Sequence, residues 1–214
     1  MDYAIARKRM VQDQLLARGI KDEKILEIML KIPRHRFVEE GLRPMAYNDR
    51  PLNIGEAQTI SQPYIVAYMT ECLKIGPEDR ILEIGTGCGY QTAILAELAN
   101  HVYSVERLPP LFSKARRILR ELGYKNIHLR LGDGSAGWAK YAPYDGILVA
   151  AAGPVIPQPY LDQLAEGGRL ILPVGDGQDQ DLIMVKKQGG QIYQESLSGV
   201  RFVKLKGKYG FQAD

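Results

Sequence analysis

The residues with the greatest capacity for chemistry cluster in Leu82-Glu83-Ile84-Gly85-Thr86-Gly87-Cys88-Gly89-Tyr90. Glycines at every second position let a backbone turn sharply and approach a ligand closely, because no Cβ stands in the way. The segment follows an apolar run and precedes a helical pattern, the context in which a glycine loop binds a nucleotide. Two familiar ligands fail the spacing. A dinucleotide loop, G-x-G-x-x-G counted from Gly85, needs its third glycine where Tyr90 stands. A P-loop needs a lysine–hydroxyl pair after the glycines, and none follows. Further on, Val102-Tyr103-Ser104-Val105-Glu106 ends in a carboxylate. It lies about 20 residues past the glycines, where α/β nucleotide folds place an acid that accepts both ribose hydroxyls. Nicotinamide enzymes share that feature, so Glu106 supports a ribose without choosing the cofactor. A third apolar run ends in the tight turn Gly132-Asp133-Gly134. The histidines, His35, His101 and His128, show no metal-ligand spacing and there is no G-x-S-x-G segment. Neither a metal nor a Ser-His-Asp nucleophile is expected.

Glu83 precedes the first glycine by two residues, and E-x-G-x-G-x-G resembles the first motif of class I methyltransferases. The resemblance implies S-adenosyl-L-methionine as cofactor and S-adenosyl-L-homocysteine as product. It places Gly85, Thr86, Gly87 and Gly89 against the methionyl part, with Glu83 near the sulfonium or amine. A carboxylate suits that cationic cargo and would repel a diphosphate. By the same resemblance Asp133, with Gly134, takes the position that accepts the adenine amino group.

A second set of segments narrows the likeness. Asp49-Arg50-Pro51-Leu52, followed by Gln58-Thr59-Ile60-Ser61-Gln62-Pro63, resembles the signature of the protein-L-isoaspartate O-methyltransferases. Tyr144–Ala152 resembles their fourth-strand motif, Gly167–Gly175 their fifth, and Val200-Arg201-Phe202-Val203 their C-terminal strand. Matching segments cover nearly the whole chain. Ala57 stands where the family commonly has glycine, Asn53 where proline is frequent, Cys88 for the usual serine and Lys204 for a usual proline. The resemblance implies methylation of the α-carboxyl of L-isoaspartyl residues in damaged peptides and proteins, with D-aspartyl residues as a further candidate substrate. It implies that Thr59 and Ile60 lie beside the cofactor and that Ser61 orients the substrate carboxylate. Such a carboxylate is already ionised at neutral pH, so no strong general base is needed. Holding oxygen, methyl carbon and sulfur in line is enough for a large acceleration. Two rivals stand: a class I methyltransferase acting on a small molecule or RNA, and a non-catalytic S-adenosylmethionine-binding module. Ser61 also has a structural alternative as an N-cap before Pro63.

These residues need a scaffold of alternating strands and helices. Apolar runs at Ile81–Ile84, Val102–Val105, Ile127–Leu131, Ile147–Ala151 and Leu170–Val174 alternate with helical stretches such as Gln91–Leu98 and Leu111–Leu122. That alternation predicts an α/β, Rossmann-like, doubly wound and mostly parallel sheet. Leu182–Lys187 and Gln191–Glu195 flank Gly189-Gly190 and read as an antiparallel C-terminal hairpin, with Val200–Leu205 as a last strand. Residues 3–18 read as one helix stopped by Gly19, Asp22 caps a second that ends at Pro33, and a third runs from Pro63 to Leu73. Residues 41–63 show no clear period and read as a long ordered loop. A single domain over 1–214 is expected, with 1–75 as N-terminal helices and substrate loop, 76–175 as the cofactor core and 176–214 as antiparallel strands.

Composition fits that scaffold. The 214 residues are 45% hydrophobic and 25% charged, ordinary for a globular domain. A formal net charge of +3 with scattered basic residues predicts no nucleic-acid partner. No apolar run is long enough to span a bilayer and the N-terminus lacks a signal-peptide core, so no membrane role is expected. Two distant cysteines, Cys72 and Cys88, fit free thiols in a reducing compartment. A cytoplasmic monomer is the expectation.

Overall fold

The protein is described by a computed structural model covering residues 2–177 and 179–212. Its central sheet has seven strands: β3 (Arg80–Ile84), β4 (His101–Glu106), β5 (Ile127–Leu131), β6 (Tyr144–Val149), β7 (Leu164–Gly175), β8 (Gln180–Gln188) and β9 (Gln191–Val200). Their order is β5-β4-β3-β6-β7-β8-β9. From β5 to β7 all pairs are parallel, and β7-β8 and β8-β9 are antiparallel. The expected doubly wound sheet with an antiparallel C-terminal hairpin is therefore present. Strand order reverses beside β3, and the crevice beyond the carboxyl end of a strand at such a switch point is where α/β sheets bind ligands.

Side-chain alternation feeds both faces. Ile81 and Val102 pack with Met69 and Leu95 on one face, while Leu82, Ile84 and Val105 pack with Tyr144, Tyr160 and Leu172 on the other. Helix α3 (Pro63–Leu73) and helix α4 (Tyr90–Leu98) supply the first layer. Pro63 starts α3 at its first turn, where a missing N–H is no loss. Helix α5 (Pro109–Glu121) packs on β4 and β5. Helix α2 (Glu23–Lys31), capped by the Asp22 carboxylate, rests on α3 and α4.

Three expectations are corrected. Residues 3–18 are not one uniform helix. Helix α1 (Tyr3–Arg9) passes into a π-helical stretch, Met10–Leu15, and a 3-10 turn, Leu16–Arg18, before Gly19 ends it in the left-handed region. Bonds of i→i+5 type bring residues five apart onto one side, which suits the full burial of both Met10 and Leu15. Second, the 41–63 loop contains a 3-10 stretch, Glu40–Met45, and a hairpin of β1 (Leu52–Gly55) and β2 (Gln58–Ile60). Its two-residue turn, Glu56-Ala57, is left-handed at both positions (φ +52° and +54°). Such turns usually announce themselves by Asn-Gly or Gly, and this one carries neither. Third, Val200–Leu205 is not a strand. β9 ends at Val200, and the Gln180 side-chain amide then takes over the ladder's role. It donates to the Phe202 carbonyl at 3.0 Å and accepts the Phe202 N–H at 2.7 Å. The chain then crosses to β6's carboxyl end, where Ala152 donates to the Val203 carbonyl and accepts the Leu205 N–H, both at 2.8 Å, in an isolated parallel bridge to Lys204.

Candidate active site

The β3-α4 glycine loop curls at the carboxyl end of β3. Gly85, Gly87 and Gly89 all have positive φ (+93°, +56° and +90°). At Gly89 a Cβ would also stand 3.2 Å from Leu119, so this glycine lets α4 pack closely on α5. Tyr90, which occupies the place of a dinucleotide loop's third glycine, is the first residue of α4 and is buried. Glu106 ends β4 and ties the loop to the sheet. Its Oε2 accepts the Gly87 N–H at 2.8 Å, and Oε1 accepts those of Arg107 and Leu108 at 2.8 and 2.9 Å.

The loop forms one wall of a cavity of about 490 Å³, within the range of small-molecule sites. The β1-β2 hairpin forms the opposing wall through Ile54, Glu56, Ala57, Gln58, Thr59 and Ile60. Of the residues singled out in the sequence, Thr59, Ile60, Ser61, Gly85, Thr86, Gly87, Glu106 and Gly134 line this cavity. The walls suit an adenosyl group: glycine backbone on one side, the Glu106 carboxylate at the strand end, and apolar side chains such as Ile60, Leu108 and Leu111 between them.

Glu83, Gly89 and Asp133 do not line it. Glu83 is fully buried beneath the loop, its Oε2 accepting from Thr92 and Ser104 hydroxyls, both at 2.6 Å. Burial pushes its carboxyl up to about 8 against the two hydroxyl bonds. Asp133 turns toward the C-terminal segment. Its Oδ1 accepts the Ser135 N–H and hydroxyl at 2.8 and 2.7 Å, and Oδ2 accepts the Lys208 N–H at 2.8 Å. Among the described residues these three bonds leave one of the carboxylate's about four acceptor sites unused, on Oδ2. Those bonds from Lys208 and Ser135 hold its carboxyl below the usual range despite partial burial.

A second cavity, of about 640 Å³, opens between α3 and the start of β8. It is walled by Pro51, Gln62, Ile65, Asp179, Gln180, Asp181 and Arg201. Thr59, Ser61, Ala150, Phe202 and Val203 line both cavities, so Ser61 stands where they meet. Gln62, not Ser61, is the residue before α3, and no side chain caps that helix in the usual way. Asp49 does that work from a distance: Oδ1 accepts the Tyr64 N–H at 3.2 Å, and Oδ2 pairs with Arg18. The Asp49-Arg50-Pro51 segment thus anchors the turn that carries Ser61.

Arg34 was not visible as a site residue in the sequence, where it reads as one more surface cation. It is fully buried. Its Nε donates to the Ala46 carbonyl and its Nη2 to the Ser61 carbonyl, each at 2.7 Å, and the guanidinium lies over the Tyr90 ring at 4.8 Å. One side chain therefore fixes the backbone of Ser61 relative to the 3-10 stretch and α4. Pro33 just before it is the nearest signal of an ordered turn, but nothing local marks the burial. Among the described residues no cluster of three or more potential metal ligands occurs, and no helix is long and apolar enough to cross a membrane.

Comparison with known proteins matches this arrangement. Residues 6–210 fit the family described as protein-L-isoaspartate(D-aspartate) O-methyltransferase. The chain is 54% identical to the protein-L-isoaspartate O-methyltransferase of Geobacter metallireducens, over 99% of this chain and 98% of that one. It is 55% identical to that of Methanoculleus marisnigri, over 97% and 94%. Among solved structures, a protein-L-isoaspartate O-methyltransferase superposes with a TM-score of 0.86 at 30% identity, covering 95% of this chain and 67% of the other. One from Plasmodium falciparum, determined in complex with S-adenosyl-L-homocysteine, gives 0.82 at 26% identity over 94% and 98%. With the glycine loop, the Glu106 strand end and the Ser61 turn all assembled at one switch point, the chain belongs to the protein-L-isoaspartate(D-aspartate) O-methyltransferase family.

Proposed function

We propose that Ser61 orients the α-carboxylate of an L-isoaspartyl residue at the junction of the two cavities, with the cofactor seated in the glycine-loop cavity and the peptide in the other. The observation that carries this reading is the position of Ser61 in the walls of both. The family's reaction is methyl transfer from S-adenosyl-L-methionine to the isoaspartyl carboxyl, which the cofactor supplies as an electrophilic methyl on a sulfonium. The chain's own residues bind and align. Glu106 offers its remaining acceptor capacity to the ribose, and Gly134 with Asp133 flanks the adenine side. Ser61 donates to one carboxylate oxygen and leaves the other to attack. Its hydroxyl is free for that task, since no hydrogen bond to it occurs among the described residues. Proximity and alignment are worth several kcal/mol, about the scale such a displacement needs. D-aspartyl residues are a second proposed substrate. Both cavities are built from one chain, which supports a monomer as the catalytic unit, and two free cysteines fit the cytoplasm.

The test is methyl transfer to paired peptides that differ only in Asp against isoAsp, with wild type and Ser61→Ala. The isoaspartyl peptide should be methylated and the Asp peptide should be a poor substrate. Ser61→Ala should slow single-turnover transfer about 10- to 1000-fold, the scale of one orienting bond at the reacting group, with cofactor affinity changed far less. Full activity in Ser61→Ala would remove the serine from the mechanism. An equal loss of cofactor affinity would move it to the cofactor site.

A further inference from the structure

Glu83 is the buried ionisable group that the reaction as described does not use. It lies on β3 beneath the glycine loop, with no solvent exposure, and its Oε1 has no hydrogen-bond partner. From Oε2 a chain of hydroxyls runs to the cofactor cavity. Ser104 Oγ donates to Oε2 at 2.6 Å, and Ser104 Oγ and Thr86 Oγ1 are also 2.6 Å apart. Thr86 lines the cavity. Thr92 on α4 supplies the other bond to Oε2. Of the ionisable groups, Glu106 is the one whose charge acts on Glu83 among the described residues, and it disfavours a second carboxylate.

This chain of hydroxyls has two polarities. With Glu83 ionised, Ser104 donates to Oε2 and Thr86 donates to Ser104, which leaves only acceptor capacity at the last hydroxyl of the chain, on a residue that lines the cavity. With Glu83 protonated, Oε2–H can donate to Ser104 and Ser104 to Thr86, which turns the Thr86 hydroxyl hydrogen toward the cavity. The first arrangement is complementary to a cation and the second is not. We propose that Glu83 is a positioning residue that reads the charge of the ligand's sulfur through Ser104 and Thr86, giving up a proton when the sulfonium donor binds and recovering it when the neutral thioether product remains. The balance closes. Binding the sulfonium adds one positive charge and one proton leaves Glu83 for solvent. Methyl transfer converts carboxylate and sulfonium into ester and thioether, so the cavity loses that charge and Glu83 takes a proton back.

The consequence is discrimination between donor and product that depends on pH. Burial pushes the Glu83 carboxyl up to about 8, so the protonated form predominates in the free protein at pH 7. Donor affinity should therefore climb by up to about tenfold per pH unit below 8 and level off above it, because only the donor favours the ionised form. Product affinity should change much less over the same range.

The inference rests on the cofactor occupying the Thr86 cavity. The experiment is calorimetric titration of wild type with S-adenosylmethionine and with S-adenosylhomocysteine at pH 7, each in two buffers of different ionisation enthalpy. The difference between buffers counts protons. The donor should release at least about half a proton more than the product, and Glu83→Gln should abolish the difference. Ser104→Ala, which leaves the carboxyl in place, should cut the difference by more than half. Equal proton counts for donor and product in wild type would overturn the proposal, as would a difference that survives in Glu83→Gln or intact in Ser104→Ala. Failure of the donor to bind at all would instead refute the cavity assignment beneath it. Infrared difference spectra on wild type alone give a second readout: loss of a protonated carboxyl band on donor binding but not on product binding.

Discussion

Replacing Glu106 with alanine asks whether one carboxylate both shapes the glycine loop and holds the ribose. Three backbone N–H groups depend on it, those of Gly87, Arg107 and Leu108, at 2.8 to 2.9 Å. Arg107 is exposed and Leu108 half-buried, so water can replace the carboxylate there. Gly87 sits in the cavity wall and is likewise only half-buried, so losing the bond to its N–H should cost about 0.5–1.5 kcal/mol of stability. The ligand suffers a separate loss. Its ribose hydroxyls lose a charged acceptor, worth about 1.5–3 kcal/mol, or roughly 10- to 100-fold in Kd. Glu106→Gln keeps one carbonyl oxygen and should recover much of the stability but little of the affinity. Urea unfolding and calorimetric titration with S-adenosylmethionine on one preparation separate the two effects. Alanine substitution that lowers stability while leaving Kd within about twofold would confine Glu106 to the loop and refute its contact with the ribose.

Four further outcomes follow from the same geometry. Ala57 sits at φ +54° in the β1-β2 turn, so Ala57→Gly should relieve about 1–2 kcal/mol of left-handed strain, less about 0.5–1 kcal/mol for glycine's freedom when unfolded. The net gain of about 0–1.5 kcal/mol should raise melting by up to about 6 °C, and a clear fall would show that the turn is not strained at this residue. Arg34→Lys cannot hold both carbonyls with a planar fork. It should lose about 1.5–3 kcal/mol of stability and slow turnover on the isoaspartyl peptide with cofactor Kd nearly unchanged; a lost Kd with normal turnover would contradict the clamp on Ser61. Burial pushes the Cys88 thiol up to about 11, leaving it neutral at working pH, so Cys88→Ser should retain nearly full activity, and a large loss would reveal a role for the thiol. NAD should show no calorimetric binding at micromolar concentration, because Tyr90 begins α4 where the dinucleotide loop needs glycine; measurable binding would overturn that exclusion.

Much of this protein was determined by local patterns that a sequence displays directly. Short apolar runs alternating with helical stretches specified the β3–β7 alternation, since a doubly wound sheet is what such units build. Gly85-Thr86-Gly87-Cys88-Gly89 announced a close backbone approach, because three left-handed residues in five are tolerable only as glycines. Tertiary structure decided what contact and burial control. The β1-β2 turn is left-handed at Glu56 and Ala57 with no glycine at either, so those two residues gave no signal of the hairpin that walls the cavity. Arg201–Leu205 has a strand's composition, yet the Gln180 amide pairs with the Phe202 backbone and Ala152 with Val203 and Leu205, so only an isolated bridge forms in place of a ladder. Glu83 looks like a ligand acid, but its place on the inward face of β3 puts the carboxyl among Thr92 and Ser104. Arg34 looks like a surface cation and is instead enclosed, held by two distant carbonyls that only the folded chain brings within reach. Strand and helix identity depend on neighbours in sequence, whereas the roles of Glu83, Arg34 and Ser61 depend on which residues from far along the chain surround them.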